Sequence, residues 1–243
     1  MPVTLFISDL HLCPTRPPIV RLFQDFLTRQ ARQADALYIL GDLFEYWAGD
    51  DSLGDDFNAA ICAGLSTLSD QGTRVLFIAG NRDFLADAGF AQASGATLLA
   101  EPTLADIAGM PTLLMHGDAL CSDDATYQEF RREVRSTAWR SGFLAQPLAE
   151  RKEQIEALRR KSEDAKQIKP AAVMDANAST VAEVLRRHGY PRLIHGHTHR
   201  PAHHIHAVDG HVCDRWVLGD WYGNGNYLRC DESGCHYVNL PAQ

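Results

Sequence analysis

Short apolar runs recur along the first two thirds of the chain, and stretches with helical periodicity separate them. The runs are rich in Val, Ile, Phe and Leu, which is typical of strands that are buried on both faces of a sheet. They cover residues 3–7, 36–40, 75–79, 112–115 and 193–194. Residues 19–31 and 57–68 carry apolar side chains at three- and four-residue spacing, as amphipathic helices do. This order predicts a mainly parallel sheet covered by helices.

The pattern changes after Pro201, where short alternating runs follow one another with turn sequences between them. The turns read Asp-Gly, Gly-Asn-Gly and Asp-Glu-Ser-Gly, which favours antiparallel hairpins. The predicted strands cover residues 203–208, 212–218, 227–230 and 236–240.

Residues 123–169 fit neither pattern. Phe130, Val134 and Ala138 share one helical face, Ile155 and Leu158 share another, and Gly142 and Pro147 stand between them. We interpret the segment as a helical insertion of roughly two helices within one domain spanning residues 1–243. Composition alone favours a plain solvated helical hairpin.

Charge sharpens the picture of this insertion. The chain carries a net charge of −8, which argues against a nucleic-acid partner, and no protein partner is predicted. Residues 127–170 nevertheless hold 11 Lys or Arg against 7 Asp or Glu, and they include all four lysines of the chain.

The six cysteines form no CxxC pair, and the first residues lack the basic head and apolar core of a signal peptide. No apolar run approaches the ~18 residues that cross a bilayer. We therefore expect free thiols and a cytoplasmic protein, with peripheral membrane association left open.

Candidate chemistry follows each apolar run. Because the carboxyl ends of parallel strands converge on one edge of an open sheet, side chains placed there should lie close together. The residues that follow the runs are, in chain order, Asp9, His11, Asp42, Asn81, His116, His197 and His199.

Each of these signals is weak alone, since Asn81 after a glycine is more often a turn and an isolated His-x-His pair needs no metal. Together they predict a metal site. Imidazole with carboxylate suits Mn, Fe or Zn rather than Mg or Ca. Seven ligands exceed the needs of one ion and suit two ions that share a carboxylate, an arrangement that serves phosphoryl transfer.

The ordered motifs DxH, GD, GN, HGD and GHTH resemble those of the calcineurin-like metallophosphoesterases. This resemblance implies a four-layer αββα sandwich of the α/β class. It also implies that Asp42 bridges two ions. By the same match, the first ion is held by Asp9, His11, Asp42 and His199, and the second by Asp42, Asn81, His116 and His197.

The residue after Asn81 is commonly His in this family, whereas here it is Arg82. An arginine cannot act as a general acid, but its guanidinium can donate two hydrogen bonds to a phosphate. Such a site suits a leaving group that needs no proton, as when a phosphate monoester leaves a diphosphate. We therefore expect a diphosphate substrate.

A narrower resemblance points to the branch of the family that splits the lipid nucleotide UDP-2,3-diacylglucosamine in lipid A biosynthesis. It is carried by SDLHL, GDLFEYWAGDD, GNRDF, HGD, GHTHRP and LGDWY. In that branch, water activated by two Mn²⁺ ions attacks the uridine-side phosphorus, giving UMP and the lipid 1-phosphate. The resemblance implies a helical cap at 123–169 and catalytic roles for Asp42, Asn81, Arg82 and His116.

The same match implies a set of substrate contacts, three of which share one helical face at i, i+4 and i+7. They are Asn81, Arg82, Asp124, Ser162, Lys166, Lys169 and His197. A second group could line an acyl-chain slot or simply attach the cap; it comprises Phe130, Trp139, Phe143 and Leu144. The basic cap suits an anionic substrate at the cytoplasmic face of the bacterial inner membrane.

Other polar residues are assigned plain roles. We expect His203, His204 and His206 on a surface strand, His188 near a helix C-terminus, and the Asp50-Asp51 pair in a solvated turn. His195 and Asp118 are candidates for orienting the ligands. Two rival functions remain: a phosphodiesterase or nucleotide pyrophosphatase of broad specificity, acting on nucleotides or small esters, and a non-enzymatic scaffold.

Overall fold

A computed structural model describes residues 2–168 and 173–240, with side chains described for 2–160 and 173–240. The strands are β1 Thr4–Ile7, β2 Ala36–Leu40, β3 Arg74–Ile78, β4 Thr97–Leu99, β5 Thr103–Ile107, β6 Met110–Leu114, β7 Arg192–His195, β8 Ala202–Val208, β9 His211–Val217, β10 Gly225–Asp231 and β11 Gly234–Leu240. The helices are α1 Pro17–Arg29, α2 Asp56–Asp70, α3 Ala88–Ser94, α4 Ala125–Val134, α5 Thr137–Leu144, α6 Leu148–Ile168 and α7 Ala178–Arg187.

The strands form two sheets. The first has the order β11-β10-β1-β2-β3-β4, in which β1 to β4 are parallel and β10 and β11 are antiparallel. The second has the order β5-β6-β7-β9-β8, with a parallel centre of β6, β7 and β9 and antiparallel edges. The parallel front half and the hairpins after Pro201 are therefore confirmed.

Apolar packing defines four layers. Phe6 and Ile78 of the first sheet meet Leu114 and Ile194 of the second in a core between the sheets. Neighbouring residues of β1 to β3 face the opposite way and pack against α1, α2 and α3. The outer face of the second sheet is covered by α7. This is the αββα sandwich that the sequence predicts.

The helical insertion differs in detail from the prediction, because α4, α5 and α6 make three helices where about two were expected. The missed break lies at Ser136, whose hydroxyl accepts a hydrogen bond from Trp139 N at 3.3 Å and caps α5. Gly142 lies inside α5, whereas Pro147 directly precedes α6. Among the described helices, none combines the length and apolar character that a membrane crossing requires.

The expectation of six free thiols is wrong for one pair. Cys230 and Cys235 lie directly opposite each other in the β10–β11 hairpin and are joined by a disulfide. The hairpin register brings them together, which a search for CxxC spacing does not detect. Cys13, Cys62 and Cys121, together with Cys213, are free.

Candidate metal centre

The predicted ligands lie in the turns that follow β1, β2, β3, β6 and β7. Five of them adopt left-handed backbone conformations, with φ between 49° and 67°. Non-glycine residues rarely do so, and such strain concentrates at functional sites. These five are Asp9, His11, Asp42, His197 and His199.

Two glycines let these turns approach one another closely. A Cβ on Gly80 would collide with Asp42 Oδ1, and one on Gly41 would lie 2.5 Å from His116 Nδ1. Gly41 also has a φ of 84°, which favours glycine. The GD and GN pairs thus place a small residue beside each ligand because neighbouring turns leave no room for a side chain.

Asp9, His11 and His199 form what we call the first cluster. His11 Nε2 lies 3.4 Å from His199 Nε2, and Asp9 Oδ1 lies 3.3 Å from His199 Nε2. Asp9 Oδ1 is buried, and the groups it faces are the ring nitrogens of His199 and, at 4.0 Å, of His11. A buried carboxylate oxygen of this kind is costly unless a cation binds it.

Asn81, His116 and His197 form the second cluster. Asn81 Oδ1 lies 2.9 Å from both His116 Nε2 and His197 Nδ1, and the two ring nitrogens are 3.2 Å apart. Asp42 stands between the clusters, with Oδ1 3.7 Å from His116 Nε2 and Oδ2 3.9 Å from His11 Nε2. One carboxylate oxygen therefore faces each cluster.

Hydrogen bonds behind the ligands orient their lone pairs. His116 Nδ1 lies 2.9 Å from the carbonyl oxygen of Leu40, which can only accept, so this nitrogen carries a proton and Nε2 is the ring atom that faces the cluster. His199 Nδ1 lies 3.3 Å from Asp220 Oδ2, which orients His199 in the same way. Both rings thus present Nε2 to the centre, where a bound cation would take the place of the Nε2 proton.

Burial and neighbouring charges shift the pKa values of the ionisable groups of the centre in opposite directions. Burial raises the pKa of Asp42 to about 7, with the charges of Asp83 and Asp9 adding to the rise. Burial opposes the charge of His116, yet Asp42 and Asp9 raise its pKa to about 9. Burial and the charge of His116 lower the pKa of His197 to about 3. Divalent cations would satisfy these mixed donors together, so the donor set fits a pair of transition ions.

Three supporting carboxylates were not predicted. Asp83 is fully buried, Asp220 backs His199, and Glu101 Oε1 accepts a hydrogen bond from His116 N at 2.8 Å. Asp83 and Asp220 lie within the motifs GNRDF and LGDWY, so the motifs themselves could have indicated them. Glu101 precedes β5 outside any recognised motif, and only the fold brings it to His116.

The predicted substrate contacts are partly described. The Arg82 side chain lies beside the centre, largely buried, with Nη1 3.9 Å from Glu45 Oε1. Asp124 caps α4 by accepting a hydrogen bond from Tyr127 N at 3.1 Å. Ser162 and Lys166 lie within α6, where side chains are not described, and Lys169 lies outside the described residues.

The four residues of the possible acyl-chain slot divide into two pairs. Phe143 is buried and Trp139 is half-buried, and both pack against the main core cluster, which is the attaching role left open above. Phe130 and Leu144 are exposed.

The residues given plain roles fall mostly as expected. His203, His204 and His206 lie on β8 at the edge of the second sheet, and His188 caps the end of α7. Asp51 is exposed and pairs with Arg151.

Asp50 and His195 make buried hydrogen bonds beyond the roles expected of them. Asp50 lies in a turn but is not merely solvated, because it accepts hydrogen bonds from Trp47 Nε1 and from two backbone N–H groups. His195 is buried, and its ring nitrogens form hydrogen bonds with Gly196 O and Arg215 Nη1.

Asp118 is hydrogen-bonded to residues of α4 in the cap. Its Oδ2 accepts hydrogen bonds from Tyr127 Oη at 2.9 Å and Arg131 Nε at 2.8 Å. Burial opposes the charges of His116, Arg135 and Arg131, which hold the pKa of Asp118 well below its usual range. It therefore remains a carboxylate beside the second cluster.

Comparison with known proteins agrees with this geometry. The family model "Calcineurin-like phosphoesterase" matches residues 2–201. A protein of Aromatoleum aromaticum named UDP-2,3-diacylglucosamine hydrolase is 55% identical over 230 residues, covering 95% of this chain and 94% of that protein. Proteins of the same name from Xanthomonas axonopodis and Chromohalobacter salexigens are each 48% identical, covering 98% and 94% of this chain and 98% and 93% of their own lengths. The chain belongs to the calcineurin-like phosphoesterase family.

Proposed function

We propose that this protein hydrolyses the pyrophosphate bond of UDP-2,3-diacylglucosamine in lipid A biosynthesis. The products are UMP and 2,3-diacylglucosamine 1-phosphate. The observation that carries the proposal is the pair of donor clusters with Asp42 between them and Arg82 directly beside them. The names and near full-length coverage of the relatives support the choice of substrate.

The centre would hold two divalent ions, for which we propose Mn²⁺. When bound, such a pair supplies Lewis-acid charge at the phosphate and lowers the pKa of a nearby water. Asp9, His11 and His199 would hold one ion and Asn81, His116 and His197 the other, with Asp42 shared between them.

The residues of the chain position the diphosphate and stabilise the group that leaves. Arg82 N donates to Asp42 Oδ1 at 2.8 Å, which fixes the start of the Arg82 side chain beside the shared carboxylate. Its guanidinium then donates to the phosphate. The oxygen of water bonds to the uridine-side phosphorus, the proton that the water loses passes to solvent, and the bond from that phosphorus to the bridging oxygen breaks. The lipid 1-phosphate leaves as an anion, so no general acid is needed.

The cap and the membrane complete the proposal. Asp124, Ser162, Lys166 and Lys169 are proposed to contact the lipid nucleotide together with Asn81, Arg82 and His197. The excess of Lys and Arg over Asp and Glu in residues 127–170 suits an anionic bilayer, so we propose that the enzyme works at the cytoplasmic face of the inner membrane.

A phosphodiesterase of broad specificity is the alternative, because the two clusters alone would serve any phosphoester. Arg82 and the cap favour the lipid nucleotide. Comparing kcat/KM for the lipid nucleotide with that for a simple aryl diester distinguishes the two, and equal values would favour the alternative.

The decisive experiment uses purified protein, Mn²⁺ and UDP-2,3-diacylglucosamine in water enriched in heavy oxygen, with products identified by mass spectrometry. We expect labelled UMP and unlabelled lipid 1-phosphate. Label in the lipid product would overturn the site of attack. Metal-dependent cleavage of a simple diester without any UMP would overturn the substrate assignment and leave the metal centre intact.

A further inference from the structure

Helix α4 of the insertion, together with Arg135 that caps its C-terminus, contacts all three turns that carry the second cluster. Arg135 Nη2 donates to Gly80 O at 3.0 Å, in the turn that presents Asn81. The ring of Tyr127 stacks on His197, with 6.0 Å between centroids and 24° between planes. The third turn, which presents His116, is held through two carboxylates.

These carboxylates link α4 to the backbone of the metal-binding turn. Glu101 accepts from His116 N with Oε1 and from Arg131 Nη2 with Oε2, both at 2.8 Å. Arg131 Nε also donates to Asp118 Oδ2 at 2.8 Å. The side chains of Glu101 and Asp118 are 9% and 0% exposed, so these charge-assisted bonds are shielded from water.

The first cluster is held by other parts of the chain. Trp221 N donates to Asp9 O at 3.1 Å, Arg16 Nη1 donates to His11 O at 3.1 Å, and Asp220 backs His199. Within the described residues, the hydrogen bonds and ion pairs of α4 do not reach these three ligands. Helix α4 therefore supports the second cluster, whereas the first cluster is held by other elements, including α6, whose Arg159 bonds to Glu45 beside His11.

We propose that α4 is a positioning element for the second metal ion, acting through Arg131 and Glu101. Seating of α4 and occupancy of the Asn81–His116–His197 cluster favour each other. Because such coupling is reciprocal, a cap that lifts weakens this ion, and a bound ion holds the cap down. The inference needs the metal pair of the proposed function but not the identity of its substrate.

The test compares Arg131→Gln in two backgrounds by calorimetric titration with Mn²⁺. In His11→Gln the first cluster is disabled, and we expect Arg131→Gln to weaken the remaining site about 10–100-fold, as loss of a group that orients a ligand typically does. In His197→Gln the second cluster is disabled, and the same substitution should leave the affinity unchanged.

Arg140→Gln is the matched control. Arg140 joins α5 to Phe84 O at 2.8 Å and to Asp87 at 3.3 Å, so its loss removes an arginine contact of the cap but leaves the bonds of α4 to Asp118 and Glu101 in place. We expect it to leave Mn²⁺ affinity unchanged in both backgrounds. Arg131→Lys, which retains the charge, should restore part of the affinity and serves if Arg131→Gln does not fold.

Hydrogen exchange provides the reciprocal readout. Adding Mn²⁺ to the wild type should slow exchange in residues 125–134, and this protection should be lost in Arg131→Gln. Equal weakening in both backgrounds, or none in either, would overturn the proposal. Wild-type protein that binds no Mn²⁺ would overturn the metal pair as well, so the two failures are distinguishable.

Discussion

Asp83 illustrates what a single buried carboxylate contributes to this centre. It accepts hydrogen bonds from the backbone N–H groups of Gly80 and Leu43, each at 2.8 Å, and of Asp42 at 3.2 Å. The turns after β2 and β3 are thereby tied together at the point where Asp42 and Asn81 must meet.

Asp83→Ala should leave these three N–H groups buried without acceptors. Each orphaned group costs about 1–3 kcal/mol, so we expect the free energy of unfolding to fall by several kcal/mol. Urea denaturation measures the change. Asp83→Asn keeps one acceptor oxygen and should lose less. Equal stability of the alanine variant and the wild type would show that the turns do not depend on Asp83.

At the residue scale, the proposed choice of substrate depends on Arg82. Arg82→His restores the residue common in the family. It provides a proton donor but loses the two parallel N–H donors that the guanidinium can offer to a phosphate. We expect kcat for the lipid nucleotide to fall about 10²–10³-fold, the usual effect of removing a donor aimed at developing charge. Steady-state kinetics with Arg82→Lys as the charge-preserving comparison measures it. A gain in diphosphate turnover would contradict the argument.

At the scale of elements, the sequence predicts what local periodicity and turn chemistry determine. The buried runs of β1, β2 and β3 and the Asp209-Gly210 turn between β8 and β9 are signals within a few residues. The ligand positions follow in turn, because a residue after a buried parallel strand can only emerge at one edge.

Elements that depend on distant partners were missed. Short β4 pairs with β3 at the edge of the first sheet and has no clear pattern of its own. The Cys230–Cys235 bond depends on hairpin register, and the support of His116 by Glu101 depends on packing across the fold. Such contacts join segments that lie far apart in the chain or face each other across a turn.

The attachment of α6 gives a prediction at this scale. Arg151 is almost completely buried and donates to Ala48 O and to Asp51, which fixes the start of α6 on the loop after β2. Arg151→Met should orphan the Ala48 carbonyl and lower stability by about 1–3 kcal/mol.

Lys152→Met is the control for this prediction, because the Lys152–Asp55 pair is more exposed and should contribute no more than about 1 kcal/mol. Urea midpoints of both variants measure the difference. If the two variants lost equal stability, burial of Arg151 would not explain how α6 is held.

At the scale of the whole molecule, the join of the two sheets concentrates buried carboxylates that the metal-free fold accommodates unequally. Burial raises the pKa of Asp42 and Asp83, whereas the histidines around Asp9 lower its pKa against the effect of burial. Asp9, Asp42 and Asp83 are all buried there. An Asp whose pKa is raised in the folded state binds its proton more tightly in the folded protein than in the unfolded chain. For Asp42 the pKa rises from 3.8 to about 7, so its contribution to the stability of metal-free protein falls as pH rises through that interval and is least favourable above it.

Asp42→Asn should therefore reverse the order of stabilities according to the metal. With a chelator at pH 7, the variant should unfold at a higher temperature than the wild type, and its advantage should shrink as pH is lowered toward 4. With Mn²⁺ at 100 times its Kd, the wild type should gain about 2.7 kcal/mol per independent site. The variant should gain less, because the shared carboxylate is gone. Scanning calorimetry across pH, with chelator and with Mn²⁺, measures the metal-free stabilities and the gains on metal binding. If the variant were less stable than the wild type in chelator at pH 7, Asp42 would stabilise the fold without a cation.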